Sequence, residues 1–168
     1  MLVDSNLAAA ERERCRELLV QLPLFAWLKA EQVQMLASQA ASASYREGER
    51  IYARGSRSEG IYLVASGEVT FISGHENNPD EQDASTCVEG SFFGEMCLIE
   101  PRVRTADARA SLPTKLFIIR IGVLEKLATR YPEQFAVLVT NLAREQARRL
   151  RQLNSKLAPT SGQGGTDR

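Results

Sequence analysis

The chain has 168 residues, 43% of them hydrophobic, which suits one compact domain with appended helices rather than two full domains. Lysine plus arginine and aspartate plus glutamate both number 21, so the formal net charge is zero and no global field argues for nucleic acid or for a cationic partner. The opening residues become charged at ERERCRE before any long apolar run, and no segment approaches the ~20 apolar residues that span a bilayer, so no membrane is expected and the expected setting is cytoplasmic.

Residues 1–40 read as a helical lead-in. Positions 5–21 place Leu7, Leu18 and Leu19 opposite a charged face, and Pro23 interrupts them. LPLFAWL is short and apolar and is expected as a buried turn. A second helix is expected over Ala30–Gln39, with Val33, Leu36 and Ala37 on one side.

The texture changes over residues 41–120. Gly48, Gly55, Gly60, Gly67 and Gly74 recur every five to seven residues, and the runs between them hold Ile51-Tyr52, Ile61-Tyr62-Leu63-Val64 and Val69-Thr70-Phe71-Ile72. Short strands between tight turns predict an antiparallel sandwich or barrel. GHENNPDEQDAS reads as a polar hairpin tip.

Helical periodicity returns over residues 121–157. GVLEKLATR is a short helix, and Pro132 stands where a new helix can begin. Ala136, Val139, Ala143, Gln146, Leu150, Leu153 and Leu157 then alternate at three and four residues, which predicts a heptad seam and a homodimer through this helix. Residues 158–168, small and polar, are expected to be a disordered tail.

Cys15, Cys87 and Cys97 are scattered and odd in number, so neither a disulfide framework nor a zinc site is expected. The single His75 has no second histidine to share a metal or haem with. No nucleophile with a base, no paired acids and no metal cluster stands out, so an enzyme is not expected.

One segment, GEMCLIEPRVRTADARA, sets Glu95 after a glycine and Arg104 nine positions later, with an apolar run between. In this order of elements, FFGEMCLIEPRVRTADARA resembles the phosphate-binding cassette of the cyclic-nucleotide-binding domains found in catabolite activator protein and its relatives. LPLFAWLKAEQVQMLASQA is similar to that family's helical lead-in, GIYLVASGEV to its Ser-Gly-Glu hairpin, and residues 132–157 to its dimerising helix. Two departures stand out: Pro101 lies three residues before Arg104 instead of immediately before it, and Asp107 replaces the more common threonine or valine.

The resemblance implies a mainly β fold with flanking helices: a double-stranded β-helix, or jelly-roll barrel, with N-terminal helices and a long C-terminal dimerisation helix. It implies cAMP or cGMP as ligand, held by Gly94, Glu95, Met96, Cys97, Arg104, Thr105 and Ala106 of the cassette and by Arg149 and Asn154 of the last helix. Glu95 would accept from the ribose 2′-hydroxyl, a task a carboxylate does well. Arg104 would fork onto the cyclic phosphate, helped by Thr105 and by N–H groups of a cassette helix starting near Gly94. Leu98 and Ile99 would anchor that helix, and Glu95 and Arg104 would pair with each other when no ligand separates them. Asn154 would meet a purine edge or simply be solvated, and Arg149, within the cluster Arg148, Arg149 and Arg151, would reach the phosphate or Glu95.

The expected function is a stand-alone regulatory module that senses cAMP or cGMP and passes ligand state through the last helix to an effector protein. The alternative is a degenerate β-roll acting as an interaction scaffold with no nucleotide. The residues after Leu157 are too few for a helix-turn-helix, so direct DNA binding is not expected.

Overall fold

The computed structural model describes residues 2–4, 7–75, 78–99 and 103–157. The expected tail, residues 158–168, lies outside the described residues, as do Pro101 and Arg102. The strands are β1 (Leu2–Asp4), β2 (Ala41–Tyr45), β3 (Arg50–Tyr52), β4 (Gly60–Ser66), β5 (Glu68–His75), β6 (Asn78–Val88), β7 (Phe92–Phe93), β8 (Asp107–Ala110) and β9 (Thr114–Arg120). They form two antiparallel sheets, ordered β1-β2-β9-β4-β7 and β3-β8-β5-β6. The helices are α1 (Ala9–Gln21), α2 (Ala30–Ser38), α3 (Ile121–Arg130) and α4 (Pro132–Leu157). This is the expected jelly roll with helices before and after it.

The sandwich has two cores because one sheet is covered on both faces. Along β4, Ile61, Leu63 and Ala65 join the helix-side core, while Tyr62 and Val64 join the core between the sheets. Along β9, Phe117 and Ile119 face the helices, and Leu116 and Ile118 face the other sheet. Successive side chains of a strand point to opposite faces, so a strand buried on both reads as a continuous apolar run. That is why IYLVA and LFII lack polar alternation. Into the helix-side core α1 sends Cys15, Leu18 and Leu19, and α2 sends Val33, Leu36 and Ala37, each at the three- and four-residue spacing of one helical face.

Three expectations about the elements are corrected. Leu2–Asp4, read as the approach to a helix, pair with β2 instead. GHENNPDEQDAS is largely paired: β5 and β6 continue into it, with Ile72 opposite Ala84 and Gly74 opposite Gln82. Backbone ladder bonds carry this ribbon, so its polar side chains gave no strand signal. Within LPLFAWL, Leu24 and Phe25 are buried in a 3-10 turn (Pro23–Phe25), but Trp27 has φ +68° and is 83% exposed. The Asn141 amide of α4 fixes this turn by donating to the carbonyls of Leu24 and Ala26 at 3.2 and 2.6 Å.

Candidate functional site

Arg104 is fastened before its side chain is considered. Its N–H donates to Ser56 O and its carbonyl accepts from Gly55 N–H, both at 2.8 Å, and Val103 pairs with Arg57. The side chain enters the sandwich and is only 8% exposed. Its guanidinium carbon stands 4.4 Å from the Tyr52 ring centre and 5.2 Å from that of Tyr62, within cation–π range. Nη2 donates to Gly60 O at 3.1 Å and Nη1 to Gly94 O at 3.4 Å. Nε is buried with no partner among the described residues. Among the described residues this buried guanidinium is held by carbonyls and ring faces and by no carboxylate, a costly arrangement that favours an incoming anion.

Gly94 makes that approach possible. Its φ is +79°, and a Cβ there would sit 2.6 Å from Arg104 Nη1 and 3.0 Å from Gly60 O. The turn releases the chain into a short helix where the resemblance implied one, and it is a 3-10 helix, Glu95–Leu98, with Gly94 at its N-cap. Cys97 and Leu98 pack against the helix-side core, whereas Ile99 is 56% exposed, so the expected anchor Leu98–Ile99 is in fact Cys97–Leu98.

Glu95 is 4% exposed, and it does not pair with Arg104. Its Oε1 accepts from Gln146 Nε2 at 2.9 Å and from Arg149 Nη1 at 2.7 Å, both on α4. Arg149 also donates to Glu145 at 3.0 Å and lies over the Phe92 ring at 5.3 Å. Arg148 takes Glu145 in a two-point fork of 2.9 and 2.6 Å. Hydrogen bonds from Arg148 and then Arg149 hold Glu145 below the usual carboxylate range, against the upward pull of its burial. Gln146, expected at a dimer seam, is therefore spent inside its own chain.

These groups border one open cavity of about 1160 Å³ between the two sheets, the cassette and α4. Its lining brings together Gly94, Glu95, Met96, Cys97, Arg104, Thr105, Ala106 and Arg149. Asn154 is exposed and is not among the lining residues; α4 contributes Glu145, Arg148, Arg149 and Gln152. Phe71, Thr86 and Cys87 line the side formed by β5 and β6. Burial pushes the Tyr52 phenol up to about 12 and raises the Cys87 and Cys97 thiols, so all three are neutral at physiological pH. The charged groups on the lining are three guanidiniums, Arg104, Arg148 and Arg149, against two carboxylates, Glu95 and Glu145. Sequence reading missed Glu145, Gln152 and the tyrosine clamp; only the i, i+3 and i+4 placement of acid and arginines on α4 signalled any of them.

Among the described residues, no group of three or more His, Cys, Asp or Glu could hold a metal ion, and no helix is long and apolar enough to cross a membrane.

Residues 42–131 match the family described as cyclic nucleotide-binding domain. The chain is 33% identical over 135 residues to the Cyclic AMP receptor protein of Thermus thermophilus, covering 80% of this chain and 60% of that protein. It is 28% identical over 139 residues to Glutaminase 1 of Bradyrhizobium diazoefficiens, covering 83% of this chain and only 22% of that one. Among solved structures, the crystal structure of a cyclic nucleotide-binding domain from Methylobacillus flagellatus shares the fold, with a TM-score of 0.74 at 23% identity over 92% of this chain and 86% of that one. The match across residues 42–131 takes in the cassette turn, both tyrosines of the clamp and Arg104, and on that match the chain belongs to the cyclic nucleotide-binding domain family.

Proposed function

We propose that this chain is a regulatory module that binds a purine cyclic nucleotide, cAMP or cGMP, and acts by binding rather than by catalysis. The observation that carries the reading is Arg104: a buried guanidinium with an unpartnered Nε, bordering a cavity large enough for a nucleotide. The excess of one positive charge on the lining suits the single negative charge of a cyclic phosphate. Arg104 and Thr105 take that phosphate, with the backbone of Met96, Cys97 and Ala106 around it. Glu95 takes the ribose 2′-hydroxyl on Oε2, since both described bonds fall on Oε1. Arg149 stays with Glu95 as the ligand enters, so ligand state is felt by α4 and passed to a second copy across α4 and to an effector protein.

A thermal shift measured with cAMP and with cGMP tests the reading. At a ligand concentration a hundredfold above Kd the folded state gains about 2.7 kcal/mol. No shift with either nucleotide would leave the interaction-scaffold alternative in its place.

A further inference from the structure

Besides Arg104 Nε, the cavity holds a second buried polar atom without a partner among the described residues, Ser58 Oγ, and it lies on the bridged segment that runs beside Arg104. The Arg57–Val103 bridge, together with the backbone bonds of Gly55 and Ser56 to Arg104, fixes an antiparallel register. Side chains alternate across such a pair. Arg57 and Val103 share the other face; both are exposed, Val103 by 57%, and Val103 reaches the cavity only at its rim. Ser56, Ser58 and Arg104 take the inner face, with Ser58 diagonal to Arg104, a spacing across which long side chains still meet. Ser58 and Arg104 are each 8% exposed.

The two inner serines differ in how their hydroxyls are used. Ser56 Oγ donates to Ala53 O at 2.6 Å. Ser58 Oγ is buried and has no partner among the described residues. The Cys97 thiol is a polar neighbour, close enough to be influenced by the hydroxyl, but a thiol is a weak partner and the contact falls outside hydrogen-bond geometry. A buried hydroxyl left unbonded costs stability, and alanine would avoid that cost in the same volume. Ser58 also borders the nucleotide cavity, and Gly60, two positions on and therefore on the same face, supplies the carbonyl that holds Arg104 Nη2.

We infer that the Ser58 hydroxyl is a specificity-determining ligand contact: it donates to one of the two exocyclic oxygens of the cyclic phosphate, beside Arg104. The inference rests on the nucleotide reading proposed above. A hydroxyl bonded to one of two prochiral oxygens makes the site stereoselective, a property that general packing does not confer.

The experiment is titration calorimetry of the full chain and of Ser58→Ala with three probes: cAMP and its Rp and Sp phosphorothioates, each of which replaces one exocyclic oxygen by a poorly accepting sulfur. Ser58→Ala should lose about tenfold in affinity for cAMP and for one diastereomer, and almost nothing for the diastereomer whose sulfur occupies the serine's position. Without ligand, its melting temperature should equal or exceed that of the parent, because an unsatisfied hydroxyl has been removed. Equal loss for all three probes, or no loss for any, overturns the Ser58 contact while leaving nucleotide binding in place. If the parent chain binds none of the three, and cGMP no better, the nucleotide reading itself fails and the Ser58 contact fails with it.

Discussion

Arg149 Nη1 stands 2.7 Å from Glu95 Oε1 and joins the last helix to the cassette across 54 positions of sequence. Glu95 is 4% exposed, and the same arginine is held from below by Glu145, so it bridges two carboxylates. Glu95 is thus committed to α4 as well as being the proposed ribose acceptor. Anything that moves Glu95 pulls on the helix.

Glu95→Gln keeps the shape and removes the charge from this bridge. Amide hydrogen exchange over α4 near residues 145–152 should speed up in the variant, because Arg149 keeps only Glu145 as an ionic partner. The same substitution tests the ribose contact. The parent should lose affinity on going from cAMP to its 2′-deoxy analogue, and the variant should lose markedly less. Losses that simply add would mean that Glu95 does not meet that hydroxyl.

Arg104→Ala should affect both binding and fold. Removing the partner of a buried phosphate costs ~2–5 kcal/mol of binding. The carbonyls of Gly60 and Gly94 also lose their donor, which costs ~1–3 kcal/mol of stability for each one left unsatisfied. Urea unfolding without ligand and calorimetry with cAMP separate the two costs. A variant as stable as the parent would mean that the tyrosine clamp and the two carbonyls do not depend on the guanidinium.

Much of this site was readable in the sequence because its chemistry is local. The turn at Gly94-Glu95 and the strand at Arg104-Thr105 lie within one short segment, and the glycine spacing framed the sandwich around them. The partner of Glu95 was not readable in this way. Leu138, Asn141, Leu142 and Glu145 form the buried stripe of α4, and two of those four are polar. Apolar periodicity therefore pointed one notch round the helix, and Gln146 was assigned outward although it bonds Glu95. The short cassette helix was legible in its place but not in its type, because four residues leaving a left-handed glycine are too few for the periodicity that separates an α from a 3-10 turn.

Glu145 gives the protein an acid-sensitive fastening. Its hydrogen bonds to Arg148 and Arg149 lower its pKa in the folded state below the ordinary value of 4.5. A depressed carboxylate adds stability that is fully present above the unfolded pKa and is lost as pH falls through the folded one. The urea midpoint of Glu145→Gln should therefore lie below that of the parent at pH 7, and the gap should narrow as pH drops beneath about 4.5. A gap that stays constant down to strongly acid pH would mean that the fastening is not ionic.

Dimerisation through α4 can be tested on the face the barrel leaves uncovered. Leu138 and Leu142 are fully buried, and with Asn141 and Glu145 they mark the side of α4 that faces its own chain. Ala136, Ala143 and Leu150 are exposed at seven-residue spacing, Leu150 by 58%, with half-buried Val139 beside them; the side chains of Leu153 and Leu157 lie outside the described residues. Keeping a leucine in water forgoes ~1.5–3 kcal/mol relative to burying it. A second copy across a two-fold axis would bury the same stripe on both chains at once. Gln146 is bound to Glu95 and cannot pair with its twin across the axis, so small alanines at 136 and 143 would set how closely the helices approach. Leu150→Glu should place like charges across the axis and give a monomer whose sandwich still melts cooperatively. Sedimentation at micromolar concentrations decides the matter: a parent chain that runs as a clean monomer, with and without cAMP, removes the α4 dimer from the mechanism.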